Sequence, residues 1–386
     1  MAPNAYAALA ARSDLAHIGG AEVQQVLIAK ALRQRGYSVC FVTWDHGQPD
    51  AVAHDGIQVF KACRVDAGCP GVRFLHPRWT SLYAALKRAN ADVYYQRTAG
   101  CETGQTALWC RCHRRPFVFA SASESNCSPL LPGLRGRRER ALYRFGLRRA
   151  TRIVCQTFAQ RLAFERHFGI HATLIRSCAA DPFDGRRLNR SLPRRGPYRL
   201  LWVARFHSKK RPEWLLRLAQ ACPDFVFDIV GDGRRSDPGV EDFLSRAARL
   251  PSVTCHGRVP HERIGSYYDQ AHLLICTSLD EGYPNTFMEA WARGTPVVSS
   301  FDPDGVIARH GLGAVGGSIA QLRDASQRLL SSPGHWADCS QNAREFFLET
   351  HTISAAADAY ETLLAQLTMP SPFASRRDEA RLSQDF

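Results

Sequence analysis

The sequence predicts an α/β protein built from two doubly wound domains. Short apolar runs alternate with helical patterns along most of the chain, and strands that alternate with helices form parallel sheets covered on both faces. One segment near the middle interrupts the alternation, which then starts again. A chain of 386 residues is also long for a single hydrophobic core. Two domains joined by a linker are therefore expected.

The first half of the chain shows the alternation from residue 22 onward. Apolar residues on one helical face predict a helix over residues 22–35, which Gly36 ends. A doubly wound domain opens with a strand, yet the candidate ahead of residue 19 is the alanine-rich segment 5–11. Alanine forms strands poorly, so the first strand is expected to be clipped or poorly formed. Later strands are predicted at residues 37–44, 92–97, 116–121, 152–157 and 172–177.

The middle segment, residues 181–197, is rich in proline, glycine and arginine and predicts a linker. The first domain is thus predicted over residues 1–180 and the second over residues 198–350. A C-terminal helix over residues 351–368 is expected to pack back toward the first domain, and residues 369–386 are expected to form a disordered tail. Strands of the second domain are predicted at residues 199–205, 225–231, 253–257, 272–278 and 296–300.

The balance of charge limits the choice of partner. The chain carries 50 lysines and arginines against 36 acidic residues, and this net charge of +14 favours an anionic partner such as a nucleotide, nucleic acid or acidic membrane surface. The sequence has no helix-turn-helix, zinc-binding or aromatic RNA-binding pattern, which disfavours nucleic acid. It has no apolar run of about 18 residues and no signal-peptide pattern, so a cytoplasmic protein is expected.

Ligands of open α/β sheets bind beyond the carboxyl ends of the strands, so the loops there are the places to look for a site. The loop after strand 199–205 carries Arg205 and Lys210, and two cations so placed can flank a diphosphate. A solvated basic loop is the competing interpretation. The loop after strand 225–231 holds Gly231 and Gly233, which let a ligand approach the backbone. It lacks the G-x-G-x-x-G spacing of nicotinamide-binding loops.

The sharpest pattern is EGYPNTFMEAWARGTPVV at residues 281–298. Pro284 suits the first turn of a helix whose amino end favours anions. Glu281 and Glu289 are eight positions apart, so both carboxylates are predicted to face one cleft. One can meet the hydroxyls or the developing positive charge of a sugar, while the other binds a ribose diol. A helix cap plus a surface glutamate is the alternative.

This segment resembles the E-x7-E signature of the retaining glycosyltransferases of family 4. The likeness covers about residues 13–365 and includes, in order, Gly19-Gly20-Ala21-Glu22, the R-x4-K pair, Gly231-Asp232-Gly233 and His256-Gly257-Arg258-Val259. The resemblance implies a glycosyltransferase-B fold, in which two Rossmann-like doubly wound domains face each other across a cleft. Residues 1–180 would then be the acceptor-binding domain and residues 198–350 the nucleotide-sugar-binding domain. The resemblance also implies a UDP- or GDP-sugar as donor and co-substrate, with no metal and no further cofactor.

The resemblance implies a role for each matching residue. Arg205 and Lys210 would hold the diphosphate and act in catalysis together with Glu281. Glu289 would bind the ribose, residues 257–259 the base, and the backbone amides of residues 282–286 the sugar, while Gly20 would bring an amide of the first domain to the phosphates. The implied donor-binding set is Gly19, Gly20, Gly231, Gly233, Gly257, Arg258, Val259, Gly282, Tyr283, Pro284, Asn285, Thr286 and Glu289.

The acceptor side departs from the family pattern. Many relatives carry a histidine or aspartate in the loop after the strand equivalent to residues 116–121, whereas this chain reads SASESN there. The acceptor candidates are Glu22, Ser123 and Glu124, and a solvated loop residue is an equal interpretation of Glu124.

No metal site is predicted. Asp302-Pro303-Asp304 matches the metal-binding D-x-D of another glycosyltransferase fold, but a turn is the preferred interpretation. The 13 cysteines occur without a C-x-x-C pair, so free buried thiols are expected rather than disulfides or a zinc site.

The segment from Leu134 to Arg152 holds eight arginines and a single glutamate. It predicts a basic amphipathic helix suited to an anionic membrane surface or to an acceptor with a lipid phosphate. A solvated face over a buried apolar stripe is the alternative. A membrane role would make the protein peripheral on the inner face of the membrane.

The sequence therefore predicts a retaining glycosyltransferase that moves a sugar to a glycan or lipid-linked acceptor in cell-surface polysaccharide or glycolipid synthesis. Three alternatives stay open: a catalytically degenerate relative that binds nucleotide-sugar, a nucleotide-sugar epimerase on the same fold, and a basic nucleic-acid-binding protein. An epimerase would act on the donor with no acceptor present.

Overall fold

The computed structural model describes residues 1–12, 18–233, 239–279 and 281–368, which form two α/β halves. The elements of the first half are α1 (Tyr6–Leu9), α2 (Gly20–Gln34), β1 (Cys40–Thr43), β2 (Val52–His54), β3 (Ile57–Lys61), α3 (Thr80–Ala89), β4 (Tyr94–Arg97), α4 (Cys101–Cys112), β5 (Phe117–Ala120), α5 (Arg137–Arg149), β6 (Arg152–Cys155), α6 (Phe158–Phe168) and β7 (Thr173–Leu174). Helices α3 to α6 separate the parallel strands, which is the predicted alternation.

The first half contains two sheets instead of one. Strands β1, β3 and β2 form the first sheet, and β4, β5, β6 and β7 form the second, with β2 antiparallel and the other pairs parallel. Residues 1–3 lie between the two sheets. Ala2 N donates to Val42 O at 3.0 Å, Trp44 N donates to Pro3 O at 2.9 Å, and the amino group of Met1 donates to Tyr95 O. Burial lowers the pKa of that amino group to about 6.

The alanine-rich segment that follows is helix α1 and not a strand. Alanine favours helix, and Ala5, Tyr6 and Leu9 are buried against α2 and β3. In the described residues 1–12 and 18–39 there is no strand. The hydrogen bonds of residues 1–3 are the only strand-like feature in this part of the described chain.

The second half has the topology of a doubly wound domain. Its sheet has the order β10-β9-β8-β11-β12-β13 with every pair parallel, so the strand order along the chain is the 3-2-1-4-5-6 order of dinucleotide-binding folds. The elements are β8 (Tyr198–Val203), α7 (Pro212–Ala221), β9 (Phe225–Val230), α8 (Val240–Ala247), β10 (Val253–Gly257), α9 (His261–Gln270), β11 (Leu273–Cys276), α10 (Asn285–Trp291), β12 (Val297–Ser299), α11 (Val306–His310), β13 (Gly313–Val315), α12 (Ile319–Ser331), α13 (Pro333–Thr350) and α14 (Ile353–Thr368).

Each half buries apolar side chains on both faces of its main sheet. In the second half, Trp202 and Phe227 face a cluster with α7 and α12, while Leu201 and Leu274 face a cluster with α10 and α13. In the first half, Phe119 belongs to a core with α4 and α5. These alternating faces are what a parallel sheet covered by helices requires.

The segment 181–197 contains no helix or strand, yet side chains tie it to the second half. Arg190 donates to Thr295 Oγ1 at 2.6 Å and to Ala271 O at 2.8 Å, and Asp181 pairs with the buried Arg344 at 2.7 Å. Helix α14 returns to the first half, where Tyr360 packs with Val118 and Val154. The predicted tail, residues 369–386, lies outside the described residues.

Among the helices of residues 1–12, 18–233, 239–279 and 281–368, none is long and apolar enough to cross a membrane.

Candidate functional site

The candidate site lies where the strand order of the second sheet reverses. Strands β8 and β11 are neighbours at that point, and their parallel carboxyl ends lie at the same edge. Ligands of doubly wound sheets bind at this position. Residues 204–211 follow β8 and residues 277–284 follow β11, so the loops that carry Arg205, Lys210 and Glu281 meet there.

Lys210 and Glu281 are in direct contact. Lys210 Nζ contacts Glu281 Oε1, which also accepts a hydrogen bond from Ser278 Oγ at 2.7 Å. Both side chains are largely covered, with 29% of Lys210 and 16% of Glu281 exposed. The sequence predicts separate contacts for them, with the diphosphate and with the sugar. Because the two charges are in contact, a ligand that binds one side chain also changes the electrostatic environment of the other.

Arg211, which the sequence analysis did not single out, braces these two loops. Its guanidinium donates to Thr277 O at 2.6 Å, to Ser278 O at 3.0 Å and to Ser300 Oγ at 2.7 Å, and it stacks 3.7 Å from the centre of the Trp214 ring. Arg211 has a positive φ of 46°, a strained conformation for arginine. The signal that the sequence offered for Arg211 was its position next to Lys210 of the R-x4-K pair. Sequence alone does not show whether an arginine at that position joins two loops or is exposed to solvent.

Arg205 comes two residues after β8 and is exposed, whereas its neighbour Phe206 is buried. Phe206 N donates to Asp232 O at 2.8 Å, and Phe206 packs on Phe243. The backbone is therefore anchored on the inside while the guanidinium faces outward at the switch point. Such a side chain is available for an anionic ligand.

Gly231 and Gly233 shape the loop that carries Arg205. A Cβ on Gly231 would come within 1.9 Å of Ala204 O, and one on Gly233 within 2.6 Å of Val240 Cγ2. Gly231 also has a φ of 138°, which other residues rarely adopt. These glycines are required by the close approach of two protein segments. Their predicted contact with a donor stays a prediction.

The segment 282–286 connects the two halves. Tyr283 is buried, and its hydroxyl donates to His351 Nε2 at 2.7 Å, so its side chain points away from the loop surface. Asn285 Nδ2 donates to Gly20 O at 3.1 Å, which brings the start of α10 to the start of α2. Pro284 precedes α10, and Thr286 is half-buried in its first turn. The implied donor-binding segments of both halves thus lie next to each other.

Gly19 precedes α2 and packs against Glu22. A Cβ on Gly19 would come within 2.5 Å of Glu22 Oε2, so the carboxylate folds back over the amino end of its own helix. Negative charge at that end stabilises the helix. This contact gives Glu22 a structural function that does not depend on an acceptor.

Glu289 faces a small cavity between the halves. The cavity has a volume of about 100 Å³ and is lined by Gln24 of α2, Pro182 of the middle segment, and Tyr268, Glu289 and Arg293 of the second half. Tyr268 Oη donates to Glu289 Oε2 at 2.7 Å, and burial together with this carboxylate raises the pKa of Tyr268. The carboxylate is thus held by a buried phenol.

Residues 257–259 begin with the last residue of β10 and lie beside the glycine turn. Gly231 N donates to Gly257 O at 2.8 Å, and Gly257 has a φ of 63°. Arg258 is exposed, while Val259 packs on the core below. The predicted base-binding segment therefore borders the loop that carries Arg205.

The acceptor candidates separate into two cases. Ser123 lies against the loop of Glu281, because a Cβ on Gly282 would come within 3.1 Å of Ser123 Cα and 2.6 Å of Ala122 O. Glu124 is directed into the first half, where it accepts from Thr157 Oγ1 at 3.5 Å and from Cys127 Sγ at 3.8 Å. Of these two candidates, Ser123 is the one that lies next to the loop of Glu281.

The carboxylates of Asp302 and Asp304 cap two helices. Asp302 accepts from Ile307 N at 2.9 Å at the start of α11. Asp304 accepts from Phe158 N at 2.8 Å and from Ala159 N at 3.0 Å at the start of α6, in the other half. The turn interpretation accounts for both residues, and Asp304 adds a contact between the halves that the sequence did not predict.

The basic segment forms helix α5, shorter than the predicted 134–152. Its residues Tyr143, Gly146 and Leu147 are buried against α4, so its most apolar positions serve internal packing. Arg144, Arg148 and others on the opposite face are exposed. Binding to an anionic surface therefore stays a prediction that depends on the arginines.

A cavity of about 510 Å³ at the carboxyl edge of the first half was not predicted. Trp44 beyond β1, together with Glu102 and Gln105 at the start of α4, lies on its wall. The rule applied to the second half would have found it, because CETGQ follows the predicted strand 92–97 as directly as EGYPN follows strand 272–278.

Two family models match the chain and together cover most of it. The model described as glycosyl transferases group 1 matches residues 197–332, and the model of the glycosyl transferase 4-like domain matches residues 19–178. With the sheets and loops above, they define a glycosyltransferase with the glycosyltransferase-B fold. The chain belongs to the glycosyltransferases of the family 4 type, as the E-x7-E resemblance implied.

Curated relatives match part of the chain. A D-inositol 3-phosphate glycosyltransferase of Catenulispora acidiphila is 29% identical over 194 residues, which is 44% of this chain and 44% of the relative. A 2-deoxystreptamine glucosyltransferase of Streptomyces kanamyceticus is 26% identical over 172 residues, or 43% of this chain and 41% of the relative. The chain thus spans less than half the length of the curated relatives it matches.

Solved structures share the fold over nearly the whole chain. Sucrose-phosphate synthase from Thermosynechococcus elongatus superposes with a TM-score of 0.71 at 19% identity, covering 90% of this chain and 94% of its own. HepE of Anabaena, solved with UDP and glucose, gives a TM-score of 0.71 at 18% identity, covering 90% and 96%. At these identities the likeness shows the glycosyltransferase-B fold.

Proposed function

We propose that the protein transfers a sugar, with retention of anomeric configuration and without a metal ion, from a nucleoside-diphosphate sugar to a glycan or lipid-linked acceptor. The observation that carries the proposal is the contact of Lys210 with Glu281 at the switch point between β8 and β11, on a loop that also carries the exposed Arg205. Two cations and a carboxylate there match the charges of a diphosphate and of a cationic anomeric carbon.

The reaction follows from these charges. The bond between the anomeric carbon and the diphosphate oxygen breaks, and negative charge grows on the diphosphate, where Arg205 and Lys210 stabilise it. Glu281 offers its negative charge to the anomeric carbon as that carbon becomes cationic. The acceptor oxygen bonds to the same face of the carbon, and its proton passes to the departing diphosphate. Because the leaving group takes the proton, the mechanism needs no separate protein base.

UDP is the nucleotide we propose first. HepE was solved with UDP and with UDP-glucose, and a pneumococcal O-GlcNAc transferase with the same fold was solved with UDP and GlcNAc. In this chain, residues 257–259 border the glycine turn and are the proposed contact for the base. GDP stays the second candidate.

The proposed setting is cell-surface polysaccharide or glycolipid synthesis at the cytoplasmic face of a membrane. WaaG, a glycosyltransferase of lipopolysaccharide biosynthesis, superposes with a TM-score of 0.64 at 16% identity over 92% of this chain. The exposed arginines of α5 support attraction to an anionic surface. Sedimentation with vesicles containing 30% phosphatidylglycerol tests this setting by itself.

The experiment for the reaction is a panel of UDP- and GDP-sugars incubated with the protein, with and without saccharide acceptors and with and without EDTA. Proton NMR of the anomeric region follows the donor and product. We expect one donor to be consumed with the anomeric configuration kept, at equal rates with and without EDTA. Inverted product, strict dependence on Mg²⁺ or Mn²⁺, or donor binding without turnover would contradict the proposal. Conversion of a donor to its epimer without acceptor would identify an epimerase.

A further inference from the structure

Arg211 links the ends of three strands at the candidate site. It follows Lys210 in the loop after β8, and its guanidinium reaches the residues that directly follow β11 and β12. Thr277 O and Ser278 O accept from it at 2.6 Å and 3.0 Å, and Ser300 Oγ accepts at 2.7 Å. A planar guanidinium with a fixed fork of donors can make several such contacts at once. One side chain therefore fixes the spacing of three strand ends.

The contacts of Arg211 lead to the carboxylate of Glu281 in one further step. Arg211 donates to the carbonyl of Ser278, and the hydroxyl of the same serine donates to Glu281 Oε1 at 2.7 Å. Ser300 Oγ also donates to Ser278 O, at 2.9 Å, so this carbonyl has two donors. The backbone and the side chain of Ser278 are thus both engaged. A displacement of Arg211 would move Ser278 and, with it, the carboxylate of Glu281.

The same contacts fix the backbone of Lys210. Lys210 O accepts from Thr277 Oγ1 at 2.6 Å, while Thr277 O accepts from Arg211, the next residue in the chain after Lys210. The buried Thr277 is therefore joined to two consecutive residues of the loop after β8. Lys210 Nζ contacts Glu281 Oε1, so the position of one charge relative to the other depends on the contacts of Arg211.

The backbone of Arg211 is in the left-handed region, with a φ of 46° and a ψ of 57°. A side chain in that region crowds its own backbone, which is why glycine is favoured there. Other residues keep such a conformation where surrounding contacts impose it, and they are frequent at functional sites. The ring of Trp214, whose centre lies 3.7 Å from the guanidinium carbon, is one of those contacts. Glycine would form the turn without strain, so the turn by itself does not require an arginine.

We infer that Arg211 is a positioning residue of the transfer reaction, which keeps Lys210 and Glu281 in the contact that transfer requires. Its Nε and Nη2 atoms donate to protein oxygens, so the guanidinium acts on the neighbouring loops and not on the diphosphate. The inference rests on the proposed transferase function, because that reaction gives the two charges their roles. The competing role for Arg211 is direct binding of the diphosphate as a third cation.

Arg190→Ala is the matched control for Arg211→Gly. Arg190 also donates to a carbonyl and a hydroxyl and lies over a tryptophan ring, but it does so at the amino ends of β11 and β12. Ala271 O accepts from it at 2.8 Å, Thr295 Oγ1 accepts at 2.6 Å, and the centre of the Trp336 ring is 5.6 Å away. Arg190→Ala should lower the melting temperature and keep kcat within about threefold of the wild type, because the candidate site lies at the opposite edge of the sheet.

Arg211→Gly keeps the turn and removes the guanidinium. Below the melting temperatures of all variants, its kcat should fall by about tenfold or more, because small misplacements of reacting groups are costly. UDP affinity should stay within about threefold of the wild type, and Glu281→Gln should cost less kcat in the Arg211→Gly background than alone. Arg211→Lys keeps the charge but lacks the planar fork, so it should be as slow as Arg211→Gly. Loss of UDP affinity as large as the loss of kcat, or wild-type kcat in Arg211→Lys, would overturn the inference.

Brief acetylation with limiting acetic anhydride follows the amine of Lys210 without turnover. Fragment-ion mass spectrometry gives the modification of Lys210 relative to the exposed Lys209. Contact with Glu281 shields Lys210 in the wild type, so the ratio should rise in Arg211→Gly and stay unchanged in Arg190→Ala.

The two readouts separate the outcomes. If the wild type transfers no sugar from any donor, the transferase proposal fails and the inference fails with it. If the wild type is active but either kcat or the acetylation ratio is unchanged in Arg211→Gly, the inference alone is overturned.

Discussion

The two halves of the molecule hold their ligand-facing loops in different ways. In the second half, the loops after β8 and β11 are joined by Leu279 N donating to Lys209 O at 2.8 Å and by Thr277 Oγ1 donating to Lys210 O at 2.6 Å. In the first half, the strand ends border a cavity of about 510 Å³. The difference teaches that the loops of the second half are fixed to each other by hydrogen bonds, whereas the strand ends of the first half leave open space.

The largest expected effect is that of Arg205→Ala, which removes a positive charge from the candidate site of the second half. Because the guanidinium is exposed at the switch point, its removal should leave the fold intact and lower kcat by about 10²–10³-fold through loss of charge stabilisation on the leaving diphosphate. Steady-state kinetics with the best donor measure the effect. Arg199→Ala, an arginine of β8 paired with Asp228, is the control and should keep most activity. An unchanged kcat in Arg205→Ala would instead support the alternative interpretation, in which this segment is a solvated basic loop.

Glu289→Gln should act on nucleotide affinity more than on kcat. A carboxylate that accepts hydrogen bonds from a ribose diol is worth roughly 1.5–3 kcal/mol, so UDP should bind about 10- to 100-fold more weakly. Titration with UDP measures this. Tyr268→Phe removes the phenol that holds Glu289 but keeps the carboxylate, and it should show a smaller loss. Unchanged UDP affinity in Glu289→Gln would assign Glu289 to the packing between the halves.

Gly282→Val tests the contact where the halves meet. A Cβ at residue 282 would lie 2.6 Å from Ala122 O, so the two loops must separate at a cost of about 1–3 kcal/mol. We expect a lower melting temperature and a lower kcat together, because Glu281 is next in the chain. Gly334→Ala, at a helical site with open space around it, should lower neither. Wild-type kinetics in Gly282→Val would show that the loops work independently.

His351 makes the same junction sensitive to acid. It lies between Tyr283 Oη and Ser177 O, each at 2.7 Å, and because a carbonyl only accepts, Nδ1 carries the proton. Burial lowers the pKa of His351 to about 3. The neutral form is required in the folded state, so its contribution to stability is complete above about pH 6.5 and is lost as the pH falls toward 3.

The loss should approach about 1.4 kcal/mol per pH unit within that window. Urea unfolding between pH 7.5 and 4.5 measures it. His351→Gln should lower stability at pH 7.5 and flatten the dependence on pH, because no imidazole remains to be protonated. Parallel curves for the variant and the wild type would assign the acid sensitivity to other groups.

The sequence predicted the second half better than the first for a physical reason. Strands of a parallel sheet that is covered on both faces are continuous apolar runs. All five strands predicted in the second half are present, with ends within two residues of the predicted ones. In the first half, strand β2 and strand β3 were missed, although Asp55 and Gly56 between them both have positive φ and form the D-G turn typical of a hairpin. Residues 5–11, where a clipped or poorly formed first strand was expected, contain helix α1.

The limits of prediction at the site have one cause. Motif spacing singled out Arg205, Lys210 and Glu281 in loops after strands and Glu289 in the helix that follows, and their roles stay predictions. Spacing could not show that Lys210 contacts Glu281, that Tyr283 is anchored on His351, or that Asp304 caps a helix of the other half. Those contacts join segments more than 60 residues apart, and tertiary packing decides them.

The most direct test of the central claim is a double-mutant cycle on Lys210 and Glu281. Single-turnover rates are measured for the wild type, Lys210→Met, Glu281→Gln and the double variant with one donor and acceptor. Groups in contact that act as one unit are not additive, so the double variant should be no slower than the slower single variant, with a coupling of about 0.5–3 kcal/mol. If the two single losses simply added, or if neither single variant slowed the reaction, the pair would not be the centre of catalysis.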